Sequence, residues 1–336
     1  MQFVCPFQRG AHVSALPPLS PLFAWLEITE FCNLRCRHCY ASSSPKGTHG
    51  DMATADWLRV IDQLRQLGVR HTQFIGGEPT LHPDLPTLIR HALAAGLKVE
   101  VFSNLTHISE NVWQALQLPG VRLAFSYYSD DPEDHEDVTD TVGSHARTRA
   151  TIEEAKARGI PLRASVIKVL DGQRHDQARE ELLQVGFYDV RVDRLRQFGR
   201  GADGRAPDIK NLCGQCGVRK FAISPWGDVW PCVFSRWMPV GNVHHNSLTD
   251  IYRGEQMRAA VASLAEVFPE KHSMGKDKKP DVVCTPDCQP SFNTCSPQLV
   301  CAPDAECGPT GQKKSVVLSP HRSVRYYDPG VSNTDC

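Results

Sequence analysis

Cys32-Asn33-Leu34-Arg35-Cys36-Arg37-His38-Cys39-Tyr40 places three thiols within eight residues, with three residues and then two between them. The apolar, β-prone run over residues 22–29 leads directly into it, so the loop sits at the end of a first strand. Two of the thiols could pair as a disulfide, but that would strand the third; a thiolate metal site uses all of them. A structural zinc takes four ligands, whereas a cubane [4Fe–4S] cluster on three cysteines keeps one iron open to a small molecule.

Downstream, the hydrophobic pattern alternates between helix and strand. Trp57, Val60, Ile61, Leu64 and Leu67 recur at the helical period over residues 54–67 and stop at Gly68. Further strands are expected at 71–75, 97–102, 121–126, 161–169 and 188–195, with helices at 85–95, 108–118, 145–158 and 174–185 between them. The class is α/β: strands separated by crossover helices form a parallel sheet, and ligands of such sheets collect at the C-terminal strand ends. Gly76-Gly77-Glu78-Pro79 follows the second strand, where glycines let backbone approach a ligand and a carboxylate can receive an ammonium group. Ser103-Asn104 closes the third strand and Ser126-Tyr127-Tyr128-Ser129-Asp130-Asp131 the fourth. Arg163 and Ser165 share one face of the fifth, with Lys168 on the other, while His135 and Glu136 read as a solvated loop.

The chain has 336 residues, 41% of them hydrophobic, enough for a core of roughly 200 residues plus an appended unit. A net charge of −1 without a face-wide basic run argues against nucleic acid or an anionic membrane as partner, and Lys276-Asp277-Lys278-Lys279 reads as a solvated linker. Thirteen clustered cysteines, an odd count, argue for metal ligation in a reducing compartment rather than a secreted disulfide scaffold. With no signal peptide and no run of about 18 apolar residues, the expected location is cytoplasmic.

Cys32-xxx-Cys36-xx-Cys39 resembles the signature loop of the radical S-adenosylmethionine (SAM) enzymes, and its full wording is similar to members acting on peptides and proteins. Gly76-Gly77-Glu78-Pro79, 37 residues after Cys39, resembles that family's clamp on the methionine amino group of SAM. The resemblance implies a partial (βα)6, TIM-like barrel, a SAM-binding [4Fe–4S] cluster on Cys32, Cys36 and Cys39, and His38 covering that cluster in place of the usual aromatic residue. It further implies SAM contacts from Ser103, Asn104 and Ser126, and from Arg163 and Ser165 if these face inward; a plain turn is the alternative for Ser103-Asn104. Relatives often carry Ser-Leu-Asp-Gly after strand four; the different residues here carry no substrate contacts over.

A second cysteine field begins with Cys213-xx-Cys216. Ten residues separate Cys216 from Gly227 and four separate Gly227 from Cys232, and a turn at Trp226-Gly227-Asp228 would fold Cys232 back against Cys216. This is similar to the opening of a SPASM extension. Cys284, Cys288, Cys295, Cys301 and Cys307 keep that extension's order with looser spacing. By that order Cys213, Cys216, Cys232 and Cys301 hold one auxiliary [4Fe–4S] cluster and Cys284, Cys288, Cys295 and Cys307 a second. One auxiliary cluster with a zinc knuckle or spare cysteines is the alternative. The domains are then an irregular segment 1–21 containing Cys5, a partial barrel 22–198, a linker 199–212, a cysteine-rich auxiliary-cluster domain 213–307 and a tail 308–336 containing Cys336.

The expected activity is reductive cleavage of SAM to a 5′-deoxyadenosyl radical, followed by oxidative crosslinking or dehydrogenation of a ribosomally made precursor peptide or another protein. With 31 residues before Cys32, leader recognition would need a separate leader-binding protein or an unusual mode, and electrons a reductant such as flavodoxin or ferredoxin. The rivals are a small-molecule dehydrogenase acting on an aminocyclitol, a maturase of the sulfatase type, and a non-catalytic Fe–S or zinc module; the last has no use for a SAM clamp. No acid–base or radical-quenching residue is readable, although Tyr127, Asp130, Asp193 and His38 stand nearest the expected mouth.

Overall fold

The run before the cysteine loop forms β1 (Phe23–Thr29), whose seven residues are all buried, as a central strand covered on both faces must be. The computed structural model describes residues 20–188 and 190–272. Cys5, Cys284, Cys288, Cys295, Cys301, Cys307 and Cys336, and the 276–279 and 308–336 segments, lie outside the described residues.

Helix α1 (Thr54–Leu67) buries the five apolar positions its period marks, and Gly68 ends it in the left-handed conformation, φ 88°. There follow β2 (His71–Gly76), α2 (Leu85–Ala94), β3 (Lys98–Phe102), α3 (Glu110–Leu116) and β4 (Val121–Tyr127). After an additional helix α4 (Pro132–Thr139) come α5 (Ser144–Ala157), β5 (Leu162–Lys168), α6 (His175–Val185) and β6 (Arg191–Arg194). Strands β1 to β6 pair in parallel in chain order, giving the six expected parallel strands joined by five helical crossovers.

Two findings depart from the sequence pattern. Helix α4 occupies the stretch expected to be a solvated loop. Asp131 caps it by accepting from the N–H groups of Glu133 (3.0 Å) and Asp134 (3.2 Å), with Pro132 next in line. His135 is consequently buried against the rings of Tyr127, Tyr128 and His145. The second departure is the placement of the C-terminal cysteine region, which continues the barrel sheet. Strand β7 (Lys220–Ile223) pairs parallel with β1, Phe23 opposite Lys220 through Leu26 opposite Ile223. It turns back into β8 (Asp228–Trp230), which pairs with β9 (Gly241–Asn242), and the nine strands run β6-β5-β4-β3-β2-β1-β7-β8-β9. Helices α7 (Leu248–Arg253) and α8 (Glu255–Val267) then pack Leu248, Ile251, Tyr252 and Met257 into the same core as Trp57 and Phe74. The stretch read as a linker, 199–212, opens with a 3-10 turn that packs directly on the cysteine loop: the Arg200 N–H donates to the Cys39 carbonyl at 3.0 Å.

The opposite face of the sheet carries a polar ladder. Glu100 of β3 is fully buried and held by Arg163 of β5 through Nη2 (2.9 Å) and Nε (3.2 Å), by Arg122 of β4 through Nε (2.8 Å), and by the Gln73 amide of β2. Burial alone would raise its pKa, but the two guanidinium groups outweigh it and hold the carboxyl at about 2.

These contacts set two expectations. Phe221, buried in β7 against Tyr252, belongs to the barrel core although it lies beyond the last βα unit. Phe221→Ala should therefore lower the free energy of unfolding by about 3–5 kcal/mol while unfolding remains a single transition by circular dichroism and tryptophan fluorescence. Because the folded Glu100 carboxyl lies below its ordinary value of 4.5, it stabilises the fold above that pH and loses its contribution as pH falls towards about 2. Glu100→Gln should flatten the pH dependence of urea unfolding across that window, and it should destabilise at neutral pH because two arginines lose their counter-charge.

Candidate functional site

At the C-terminal ends of β1 to β6 the sheet opens into a cleft walled by the cysteine loop, the strand ends and Phe234. Cys32, Cys36 and Cys39 all line it. Their loop is braced from three sides. The Cys32 N–H donates to the Ser44 carbonyl (3.1 Å), the Arg37 N–H to the Val138 carbonyl at the end of α4 (2.9 Å), and Arg200 donates to the carbonyls of Cys36 (2.8 Å) and Ser43 (2.7 Å). Arg35 and Arg37 point outward and pair with Asp140 and Asp137.

The loop's own electrostatics disfavour bare thiolates. Burial and the nearby Glu78 carboxylate push Cys32 up to about 12, and burial followed by the neighbouring Cys39 and Cys32 pushes Cys36 well above its usual range. Cys32 and Cys36, which resist ionisation, need a cationic centre to hold them as thiolate ligands. Among the described residues no three His, Cys, Asp or Glu side chains converge tightly enough to hold a single ion. A cysteine triad spread around a cavity fits a cluster several ångströms across instead. Donors for its sulfurs are in place: Cys32 Sγ accepts from the Leu34 N–H (3.4 Å) and from Asn104 Nδ2 (3.7 Å).

Gly76 and Gly77 form the facing edge of the cleft. The Gly77 and Glu78 N–H groups donate to the carbonyls of Thr29 (2.7 Å) and Phe31 (2.8 Å), strapping the end of β2 to the root of the cysteine loop. A Cβ on Gly77 would lie 2.1 Å from the Phe31 carbonyl oxygen, and Gly76 sits at φ +139°, so neither position tolerates a side chain. Glu78, expected to clamp an amino group, is engaged by protein donors in this structure. Its carboxylate is 1% exposed, lies off the cavity wall, and accepts from the Asn104 N–H (2.6 Å) and from the Thr80 N–H (3.1 Å) and hydroxyl (2.7 Å). Glu78 ties β2 to β3 and caps the short 3-10 turn that begins at Pro79, which is likewise buried away from the cleft.

Ser103, Asn104 and Ser126 line the cavity as expected. Asn104 also makes a local turn, its Oδ1 accepting from the Thr106 N–H at 2.9 Å. Arg163 and Ser165 do face inward but sit below the cleft, where Arg163 is committed to Glu100 and reaches the Ser165 hydroxyl at 3.4 Å; neither lines the wall. His38 does, with its ring edge-on to Tyr128 at 5.0 Å and Nε2 3.3 Å from the Tyr128 hydroxyl. Burial, with Arg200 adding to it, lowers its pKa to about 4 and keeps the imidazole neutral. Of the other groups expected near the mouth, Asp193 lines the cavity and pairs with Arg196 (3.2 Å). Asp130 is taken up by Arg174 at the surface, and the Tyr127 hydroxyl turns away to Glu181 and His145, each at 2.8 Å.

The sequence pattern missed Tyr40, Phe102, Tyr128, Ile167, Arg194, Arg196, Arg200 and Phe234 on the wall. Strand alternation at the C-terminal ends of β3, β4, β5 and β6 was the signal for those on the sheet. Nothing local marked Phe234, which arrives from the second cysteine field. There the hairpin of β7 and β8 brings Cys216 and Cys232 into contact, both at 0% exposure. The Cys216 thiol donates to Cys232, which keeps Cys216 protonated and lowers Cys232, and Lys220 adds positive charge beside both. Cys213, three residues before Cys216, is half-buried.

The sequence matches the radical SAM superfamily over residues 26–184 and an iron–sulfur cluster-binding domain, SPASM, over residues 209–289. It is 30% identical over 287 residues to the PqqA peptide cyclase of Xanthomonas campestris pv. campestris (strain 8004), covering 71% of this chain and 75% of that protein. It is 28% identical over 297 residues to the antilisterial bacteriocin subtilosin biosynthesis protein AlbA of Bacillus subtilis (strain 168), covering 77% of this chain but 65% of AlbA. The fold superposes on Streptococcus suis SuiB bound to its precursor peptide SuiA with a TM-score of 0.61 at 16% identity, covering 73% of this chain and 68% of SuiB. The domain matches imply [4Fe–4S] clusters and SAM as cofactors, in agreement with the thiol-lined cleft. The chain belongs to the radical SAM superfamily and carries a SPASM domain behind its partial barrel.

Proposed function

We propose that this protein is a radical SAM oxidoreductase that modifies a peptide, forming a crosslink or a double bond in a ribosomally made precursor. The observation carrying the reading is that the three loop thiols, the Gly76-Gly77 edge and the polar ends of β3 and β4 all face one cleft at the C-terminal side of the sheet. When bound, the cluster on Cys32, Cys36 and Cys39 supplies the electron that splits SAM into methionine and a 5′-deoxyadenosyl radical.

The protein's own residues bind, orient and exclude water. The glycine edge offers backbone at close range, Ser103, Asn104 and Ser126 offer polar contacts, and Tyr40, Phe102, Tyr128, Ile167 and Phe234 make the remaining wall largely apolar. His38, kept neutral, holds the Tyr128 hydroxyl in place rather than adding a positive charge to the cleft. The peptide substrate is supported by the names of the two curated relatives, a peptide cyclase and a bacteriocin biosynthesis protein. Cys213, Cys216 and Cys232 with Cys301, and Cys284, Cys288, Cys295 and Cys307, are the two auxiliary ligand sets in this reading. They would take the electron that an oxidative outcome leaves behind. A separate leader-binding protein and a flavodoxin or ferredoxin complete it, in a reducing cytoplasm. Among the described residues no helix is long and apolar enough to cross a membrane.

Cys36→Ala, purified anaerobically and reduced with dithionite, should make no 5′-deoxyadenosine from SAM while the wild-type chain does; a variant that still releases it overturns the assignment. Iron and sulfide at about 12 each per wild-type chain would match three clusters, and about 8 each would leave a single auxiliary one.

A further inference from the structure

Glu27 lies on β1 beneath the cleft, 1% exposed, and its two carboxylate oxygens serve two different parts of the chain. Oε1 accepts from the hydroxyl of Tyr40, the residue after Cys39, at 3.3 Å. Oε2 accepts from Arg236 Nη1 at 2.6 Å, and that guanidinium lies over the Trp230 ring with its carbon 4.4 Å from the centroid. Arg236 directly follows the turn that starts at Cys232, closed by the Ser235 N–H donating to the Cys232 carbonyl at 3.0 Å. From the same turn Phe234 meets the Tyr40 ring edge-on at 5.1 Å. Each cysteine field thus contributes one polar and one aromatic contact to a single junction, and the junction closes on a carboxylate that belongs to neither.

We propose that Glu27 is a positioning residue that latches the Cys32–Cys39 loop to the Cys232 turn, so that the two iron-binding regions hold their geometry as one unit. An isolated carboxylate at this depth would be costly, so the latch is favoured only while both partners are present. Tyr40, bonded at its hydroxyl and packed at its ring, fixes the backbone that follows Cys39. Loosening the Cys232 turn therefore loosens the cysteine loop across the cavity floor. The proposal rests on the reading above for the statement that both regions bind iron, but the latch itself is a property of the metal-free chain.

The test uses the full chain in both states. In metal-free, reduced protein, the rate at which iodoacetamide alkylates Cys39 is followed by mass spectrometry for wild type, Glu27→Gln, Tyr40→Phe, Arg236→Met and Arg236→Lys. In reconstituted protein, loss of iron to a chelator is followed in the same set. Supporting partners of metal ligands typically change affinity by ~10–100-fold. Glu27→Gln and Arg236→Met should therefore speed both processes about tenfold, Tyr40→Phe by threefold or more, and Arg236→Lys should recover most of the wild-type rate. Hydrogen exchange of α1, remote from the latch, should stay at the wild-type level. Changes below threefold in both Glu27→Gln and Tyr40→Phe overturn the latch, as does a parallel rise in α1 exchange, which would mark general unfolding. Wild-type protein that takes up no iron would count against the proposed function alone, since the alkylation rates still decide the latch.

Discussion

The pairing of β1 with β7 is the constraint on which the rest of the molecule depends. β1 is buried on both faces, ends in the cysteine loop, and accepts on its free edge a strand that begins four residues after Cys216. Backbone hydrogen bonds between these strands therefore decide how far the second cysteine field stands from the first. The aromatic packing of Phe23, Trp25, Phe198, Trp230 and Phe234 then fills the space between the two. An appended domain on a tether would leave that distance open; a shared sheet does not.

Polar groups inside the barrel are sorted by height. Low in the sheet, Glu100 is held by Arg122, Arg163 and Gln73 from three other strands, so its carboxylate is engaged by the protein itself. Higher up, thiols that resist ionisation and a backbone edge stripped of side chains leave interactions to be completed from outside. Such a contrast between finished and unfinished polar chemistry is what separates scaffold from site here, and it explains why Arg163, although charged and inward, serves the scaffold.

Much of this was legible in the residues. The spacing of Trp57, Val60, Ile61, Leu64 and Leu67 with Gly68 marks α1 to the residue, because an amphipathic helix on a sheet has few other ways to bury that stripe. The turn that brings Cys232 to Cys216 was equally readable from Gly227. What was not legible depended on contacts far apart in sequence. Glu78 carries the wording of a ligand clamp, yet Asn104 and Thr80 claim its carboxylate, and that follows only from the close approach of β2 to β3. Helix α4 was missed despite the Asp131-Pro132 start, because its short acidic sequence lacks an apolar stripe and its burial comes from the neighbouring rings. Phe234 and Arg200 reach the cleft from the stretches read as separate domain and linker, and no local pattern announces a shared wall.

The full burial of Cys216 and Cys232 bears on how the protein matures. If these two thiols hold the auxiliary cluster proposed above, iron reaches them only before β7, β8 and the helices behind them have packed, and metallation at that position becomes an event within folding rather than one that follows it.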